Sequence, residues 1–245
     1  MNLTATIRVR PLTFLFGLAA VSLAGLFLFV PPIPQSQIYH GFADQRTLLG
    51  IPNFWNVVSN LPFVIVGAMG LYRVRGNWSA STFFLGVLLT GFGSAYYHWK
   101  PDDLGLFWDR LPMTLAFMAA LAYVVEERID ERIGQMLLWP LILLGIVSLL
   151  IWMQTDDLRL YAWVQFFPCV ALPLMFWLFP PKYSGAGCWF AAAGLYIFAK
   201  AAEYADAAIF SATGELMSGH AIKHFAAAGA CYAIYLALRT RQPLG

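Results

Sequence analysis

The sequence predicts an all-α membrane protein of eight transmembrane helices, and three observations predict it. Sixty per cent of the 245 residues are hydrophobic and only 11% are charged. That leaves more apolar surface than a water-facing globule of this length can bury. The charges fall in short groups between apolar runs, and each run has the roughly 20 residues needed to cross a hydrocarbon layer about 30 Å thick. A net charge of +2 gives no electrostatic footprint for nucleic acid, so no such partner is expected.

Eight spans are expected: 12–31, 53–72, 82–99, 106–125, 134–153, 158–179, 186–209 and 220–238. The first follows Arg8 and Arg10 and stops at Pro31, Pro32 and Pro34. Its apolar stretch is longer than the 7 to 15 residues usual for a signal-peptide core, and no clear small-residue cleavage site follows, so it is read as a retained helix. Cleavage would leave seven spans in the same orientation. The second span gives way to Arg73–Asn77, the third to Pro101–Asp103, the sixth to Pro180–Lys182 and the seventh to Thr213–Gly219.

Lys and Arg test this count, because cytoplasmic loops are enriched in them. With the N-terminus inside, the inner set is Arg8, Arg10, Arg73, Arg75, Arg128, Arg132, Lys182, Arg239 and Arg241. The outer set is Arg46, Lys100, Arg110 and Arg159, while Lys200 and Lys223 fall within spans. The imbalance favours an even number of spans with both ends inside. Short loops and compact length suit a bacterial inner membrane. Cys169, Cys188 and Cys231 stand singly in apolar stretches without CxxC spacing. They read as buried small hydrophobes and leave the redox compartment undecided.

Ionisable groups inside a bilayer cost about 2.5 to 3.5 kcal/mol each on insertion scales, so each asks for a partner or a function. His220 and His224 begin the eighth span four residues apart and share one helical face. Ser94 and His98 have the same spacing at the end of the third span, and Asp109 lies eleven residues beyond His98. The span order brings these groups to one side of the membrane at one depth, the outer side in this orientation. Three neutral imidazoles with an open fourth position suit a catalytic zinc ion. Asp109 is placed to orient and deprotonate a water, and Ser94 to hydrogen-bond to that water or to a developing oxyanion.

Other polar groups have plainer readings. A histidine pair at this spacing also occurs as hydrogen-bonded packing, and His98 alone would be structural. His40 is placed in an exposed loop. Lys200, Glu203 and Asp206 read as an internally paired set at i, i+3 spacing, with a lipid head group as the alternative ligand. Lys223 is expected to point away from the histidines toward the interface. Asn56, Ser59 and Asn60 read as interhelical hydrogen-bonding groups.

Together, Ser94-x-x-x-His98, Asp109 and His220-x-x-x-His224 resemble the alkaline ceramidases, part of a superfamily of seven-helix membrane hydrolases that includes the adiponectin receptors. Asn53-Phe54-Trp55-Asn56-Val57-Val58-Ser59-Asn60 is similar to the opening of the family's first core helix, so the resemblance runs from about residue 39 to about 238. It implies a seven-transmembrane-helix core over 39–245, supplied by the second to eighth spans, with residues 1–38 as an extra N-terminal anchor helix and linker; it also implies zinc held by His98, His220 and His224, catalytic roles for Ser94 and Asp109, and cleavage of ceramide to a sphingoid base and a fatty acid. Two features depart from the family. Tyr39–Asn53 offers only Asp44 as a carboxylate, whereas calcium takes six to eight oxygens, which leaves the family's calcium site doubtful here. The helix at 12–31 is also outside the core pattern.

The leading functional expectation is a zinc amidase acting on ceramide or a related N-acyl lipid that arrives from the bilayer. The alternative is a zinc-containing seven-helix receptor or sensor, disfavoured by short inner loops. A transporter would place ionisable groups at span centres, whereas the strongest set lies toward one side.

Overall fold

The computed structural model describes residues 10–244, so Arg8 lies outside the described residues. Within them the chain is helical, and β-pairing is limited to isolated bridges at Leu48–Ile51 and Tyr183–Pro243. The helices are α1 (Pro11–Phe29), α2 (Phe54–Val58), α3 (Leu61–Arg73), α4 (Trp78–Trp99), α5 (Asp103–Arg128), α6 (Glu131–Thr155), α7 (Arg159–Leu178), α8 (Ala186–Tyr204), α9 (Asp206–Ala212) and α10 (Gly219–Thr240). A 3-10 turn at Gln37–His40 lies between α1 and α2.

Seven segments are long and apolar enough to cross a membrane: α1, α2 with α3, α4, α5, α6, α7 and α10. The chain is an integral multi-pass membrane protein. Helix α8 matches the seventh expected span and has 19 residues, but Lys200 and Glu203 near its end reduce its apolarity. The expected span 186–209 breaks at Ala205, where α9 begins. The span expected at 53–72 breaks at Ser59–Asn60, between α2 and α3. Both breaks lie beside the histidines, and their polar groups are used there.

Several helices start earlier than apolarity alone suggests because a polar side chain caps them. Asn77 accepts from the Ala80 amide, Asp102 from Gly105, Asp130 from Ile133 and Ser218 from Ala221. Each cap satisfies one of the amides that a helix N-terminus leaves without an intrahelical partner.

Helix α5 is the central strut, packed against α4, α6 and α7, while α10 pairs mainly with α8. Small residues set the closest approaches, as membrane helices require. A Cβ on Gly86 would meet the Ala116 nitrogen at 2.7 Å and the Pro112 carbonyl oxygen at 2.8 Å, and one on Gly93 would overlap the Trp108 carbonyl. Gly93 thus lets the His98 end of α4 lie against the Asp109 end of α5. Helix α1 rests on the outside of this core. Trp163 Nε1 donates to Ser22 Oγ at 3.0 Å and Arg159 Nη1 to the Val30 carbonyl at 2.9 Å.

Replacing Gly93 by Ala forces backbone apart and should cost about 1 to 3 kcal/mol. The thermal midpoint of the purified protein in detergent should fall. Gly17→Ala on α1, where a Cβ meets nothing within 4 Å, should leave it unchanged. Equal midpoints for the two variants would show that the α4–α5 approach is not limiting.

Candidate metal centre

The last turn of α4 carries His98, and the first two turns of α10 carry His220 and His224. These helix ends meet at one end of the bundle. His98 Nε2 lies 3.2 Å from His224 Nε2 and 3.3 Å from His220 Nε2. All three rings are buried, at 0%, 5% and 4% exposure for His98, His220 and His224. Three nitrogens bound tetrahedrally to zinc at about 2.0 to 2.1 Å stand about 3.3 Å apart, and the separations of His98 Nε2 from the other two match that spacing. The cluster could hold a metal ion.

The surrounding contacts are consistent with that use. His224 Nδ1 lies 2.7 Å from Ser59 Oγ, and the Ser59 hydroxyl donates to the Asn56 carbonyl at 3.3 Å. With the serine proton directed to Asn56, Nδ1 of His224 can donate to Ser59. In that tautomer Nε2 keeps its lone pair facing the cluster. Asp206, freed by the break at Ala205, accepts from the His220 amide at 2.7 Å and from the Ala43 amide at 2.9 Å. One carboxylate thereby ties the start of α10 to the loop before α2. That loop lays Phe42 over the cluster, with ring centroids 4.7 Å from His98 and 4.8 Å from His220. The backbone carbonyl of His98 accepts from Asn53 Nδ2 at 2.9 Å.

Ser94 and Asp109 are both buried and line one cavity with His224. The Ser94 hydroxyl is a hydrogen-bonding neighbour of the Asp109 carboxyl. The structure therefore brings together all five residues singled out in the sequence. The cavity has a volume of about 310 Å³ and a mostly apolar lining. It extends from Ser94 to Phe83 on α4, eleven residues or about 16 Å at helical rise. Helices α7 and α8, which touch each other over few residues, form one wall.

Four other expectations need correction. Lys223 does not point away: its Nζ lies 2.9 Å from His220 Nε2 and 2.9 Å from Glu203 Oε1. Three residues on a helix bring a side chain back to within about 60° of the same face, which makes it a neighbour of His220. Glu203 pairs with Lys200 and Lys223 as part of the expected set, but Asp206 is turned to the histidine end by the helix break. His40 is not an exposed loop residue. Its ring is largely covered, and its two nitrogens lie 2.9 Å from the Tyr97 hydroxyl and 3.1 Å from Asp103. The three cysteines are free but half-buried, and Cys169 and Cys231 line the cavity.

The fold and this end of it define a class: a multi-span membrane protein with a buried three-histidine cluster opening into an apolar cavity. The ceramidase family profile matches residues 48–180. That is more than half of the 245 residues, and the chain belongs to the ceramidase family. The match takes in Ser94, His98 and Asp109 and stops before α8 and α10, so His220 and His224 join the set through geometry. No curated protein matches the chain. Membership supports a membrane hydrolase of the ceramidase kind with a lipid substrate.

Sequence reasoning missed Phe42, Asp206 and the specific role of Ser59, because each acts through a contact distant in the chain. Asp44 was considered only for calcium. It is 2% exposed and accepts from Arg46 Nε at 2.8 Å and Nη2 at 2.7 Å. Its backbone carbonyl accepts from Asn56 at 2.9 Å.

Burial would raise the Asp44 carboxyl, but the Arg46 hydrogen bonds and charge outweigh it and hold the group below its ordinary value. A depressed folded-state pKa adds stability that is present above the ordinary carboxylate pKa of about 3.9 and is lost as pH falls through the folded-state value. Thermal midpoints should drop more steeply below about pH 4 in the parent protein than in Asp44→Asn. Parallel acid profiles would remove Asp44 from the account of this loop.

Proposed function

We propose that the chain is a zinc-dependent amide hydrolase that cleaves the N-acyl bond of ceramide or a related N-acyl lipid to a sphingoid base, or another amine, and a fatty acid. The observation that carries the proposal is the meeting of three buried imidazoles with Ser94 and Asp109 at the end of an apolar cavity. His98, His220 and His224 would hold the ion. When bound there, zinc would supply Lewis acidity, easing deprotonation of a water near neutral pH and polarising the amide carbonyl.

The chain's own residues do the rest. Asp109 accepts the proton of the attacking water on a carboxylate oxygen and returns it to the departing amine nitrogen. Ser94 donates a hydrogen bond to the oxygen that gains charge or aligns the Asp109 carboxyl. The apolar lining holds the acyl chain extended and keeps bulk water from the reacting bond. The thin α7–α8 wall is the side from which a bilayer lipid would arrive. Ser59 is a positioning residue, acting through His224 Nδ1. Domain boundaries at 1–38 and 39–245 follow from the same reading, with α1 as an anchor packed outside the catalytic core.

Metal analysis and turnover test this together. The purified protein should carry one zinc per chain, His220→Ala should lose it, and Asp109→Asn should keep it while turnover falls by about 10²- to 10⁴-fold. Membranes containing Asp109→Asn should accumulate the uncleaved lipid in a lipidomic comparison. Undiminished hydrolysis by His220→Ala, or protein without stoichiometric zinc, would overturn the proposal.

A separate measurement addresses Ser59. In competition with a chelator of known affinity, Ser59→Ala should bind zinc about 10- to 100-fold more weakly than the parent. Unchanged affinity would leave Ser59 a packing residue only.

A further inference from the structure

A second cavity, of about 260 Å³, lies at the end of the bundle opposite the histidines. Arg73 and Arg75 reach it from the turn between α3 and α4, and Arg239 and Arg241 from the end of α10. Arg239 is fifteen residues beyond His224, or about 22 Å at helical rise. Arg73, Arg75 and Arg239 are exposed and Arg241 is half-buried. Among the described residues, none of the four forms an ion pair with a carboxylate. Arg241 donates to the Tyr123 hydroxyl and lies 4.6 Å from the centre of the Tyr183 ring, and Arg75 lies 5.1 Å from that of Tyr72. Ring faces attract a guanidinium but leave its in-plane donors free.

Carboxylates do stand nearby, and they count against that charge. Glu126 accepts from Asn77 Nδ2 at 2.6 Å and from the Ser79 hydroxyl, and its charge also acts on Arg241. Glu127 pairs with Arg128 at 3.5 Å and accepts from the Tyr123 hydroxyl at 3.0 Å. With every charged side chain of residues 73–75, 126–132, 182 and 239–241 counted in full, seven cations face four carboxylates. This end of the molecule therefore keeps a positive surplus. Loops on the cytoplasmic side carry such a surplus in membrane proteins generally. Orientation alone, however, does not gather four arginines from two separate parts of the chain around one cavity.

We propose that this cavity binds the phosphate of an anionic phospholipid from the leaflet opposite the histidines. Guanidinium groups form paired hydrogen bonds to phosphate oxygens, and all four cations here are arginines. A basic pocket between the ends of membrane helices is a recurring way to hold an anionic head group. The flanking rings set its depth: Tyr72 and Trp78 are 77% and 72% exposed, as aromatic side chains at the head-group level are. Val74, Ala80 and Leu238 give the cavity an apolar side for the glycerol end of the acyl chains. Bound there, the phosphate ties the end of α10 to the α3–α4 turn. The assignment is independent of which lipid the histidine cavity takes and of that lipid's charge.

The test is calorimetric titration of the full-length protein in an uncharged detergent, whose micelle adds no surface potential of its own. The probes are dihexanoyl phosphatidylglycerol, dihexanoyl phosphatidylcholine, whose choline cancels the phosphate charge, and inorganic phosphate. The parent protein should bind the phosphatidylglycerol at least about tenfold more tightly than either of the others. Joint replacement Arg75→Gln and Arg239→Gln should remove that preference. Arg132→Gln, at an exposed cation of the same end that does not line the cavity, should leave it intact. Equal affinities of the parent protein for the two phospholipids would overturn the assignment, and this comparison holds even where a variant fails to fold. So would a preference lost as fully in Arg132→Gln as in the double variant, because the attraction would then belong to diffuse surface charge. Inorganic phosphate bound as tightly as the phosphatidylglycerol would make the cavity a site for free phosphate and end the lipid assignment. Turnover is not read, so the outcome does not depend on what the histidine cavity cleaves.

Discussion

The structure depends on the meeting of two helix ends, the last turn of α4 and the first turns of α10, where His98 Nε2 stands 3.2 Å from His224 Nε2 and 3.3 Å from His220 Nε2. Neutral rings packed this closely in a low-dielectric interior have few partners except one another or a shared cation. The rest of this end of the molecule serves to hold them there. Asp206 fastens the start of α10, Ser59 contacts His224 Nδ1, and Phe42 covers the rings. Each of these supports comes from a place where a regular span is interrupted or a loop folds back. The breaks at Ser59–Asn60 and Ala205 set where the Ser59 and Asp206 side chains stand relative to α10.

Away from the histidines, the interior changes character. The cavity has its polar groups at one end and continues among apolar side chains toward Phe83 and Phe176. That gradient suits a lipid whose reacting bond and head group share one end while its chain occupies the other. Close packing of α4 on α5 through Gly86 and Gly93 makes one side of this cavity rigid. The α7–α8 side has fewer contacts and is bridged by the hydrogen bond from Gln165 to the Tyr196 hydroxyl at 2.9 Å. A rigid reacting side facing a looser wall lets a membrane lipid approach without disturbing the geometry around the histidines.

Membership in the ceramidase family accounts for the general architecture, but the charged residues around the site give this chain a particular character. Lys200, Glu203 and Lys223 form an ion-paired row along one edge of the cavity. Across from it, Arg110 sits among aromatic rings. Charges in a membrane interior are retained when they are paired or when they act on a ligand. The row beside α10 belongs to the first case, and the guanidinium is held among the ring faces of Trp152, Tyr161 and Tyr39.

The class of fold was legible from the sequence because the membrane constraint is local: each span must supply its own apolar length and satisfy its own backbone. The same locality made His220 and His224 recognisable as one face, and Ser94 with His98 as another. The convergence of those faces was an inference from span order, and the coordinates place them together. Lys223 was misjudged because helical spacing gives an angle but not the position of the partner, and Glu203 on α8 draws it inward. Asp206, Phe42 and the aromatic surround of Arg110 depend on which helices pack side by side, and on where a helix breaks. Those are decided by tertiary contacts between residues far apart in the chain, such as the Gly93 contact with Trp108 and the Asp206 bonds to Ala43 and His220. No periodicity within a single span encodes them.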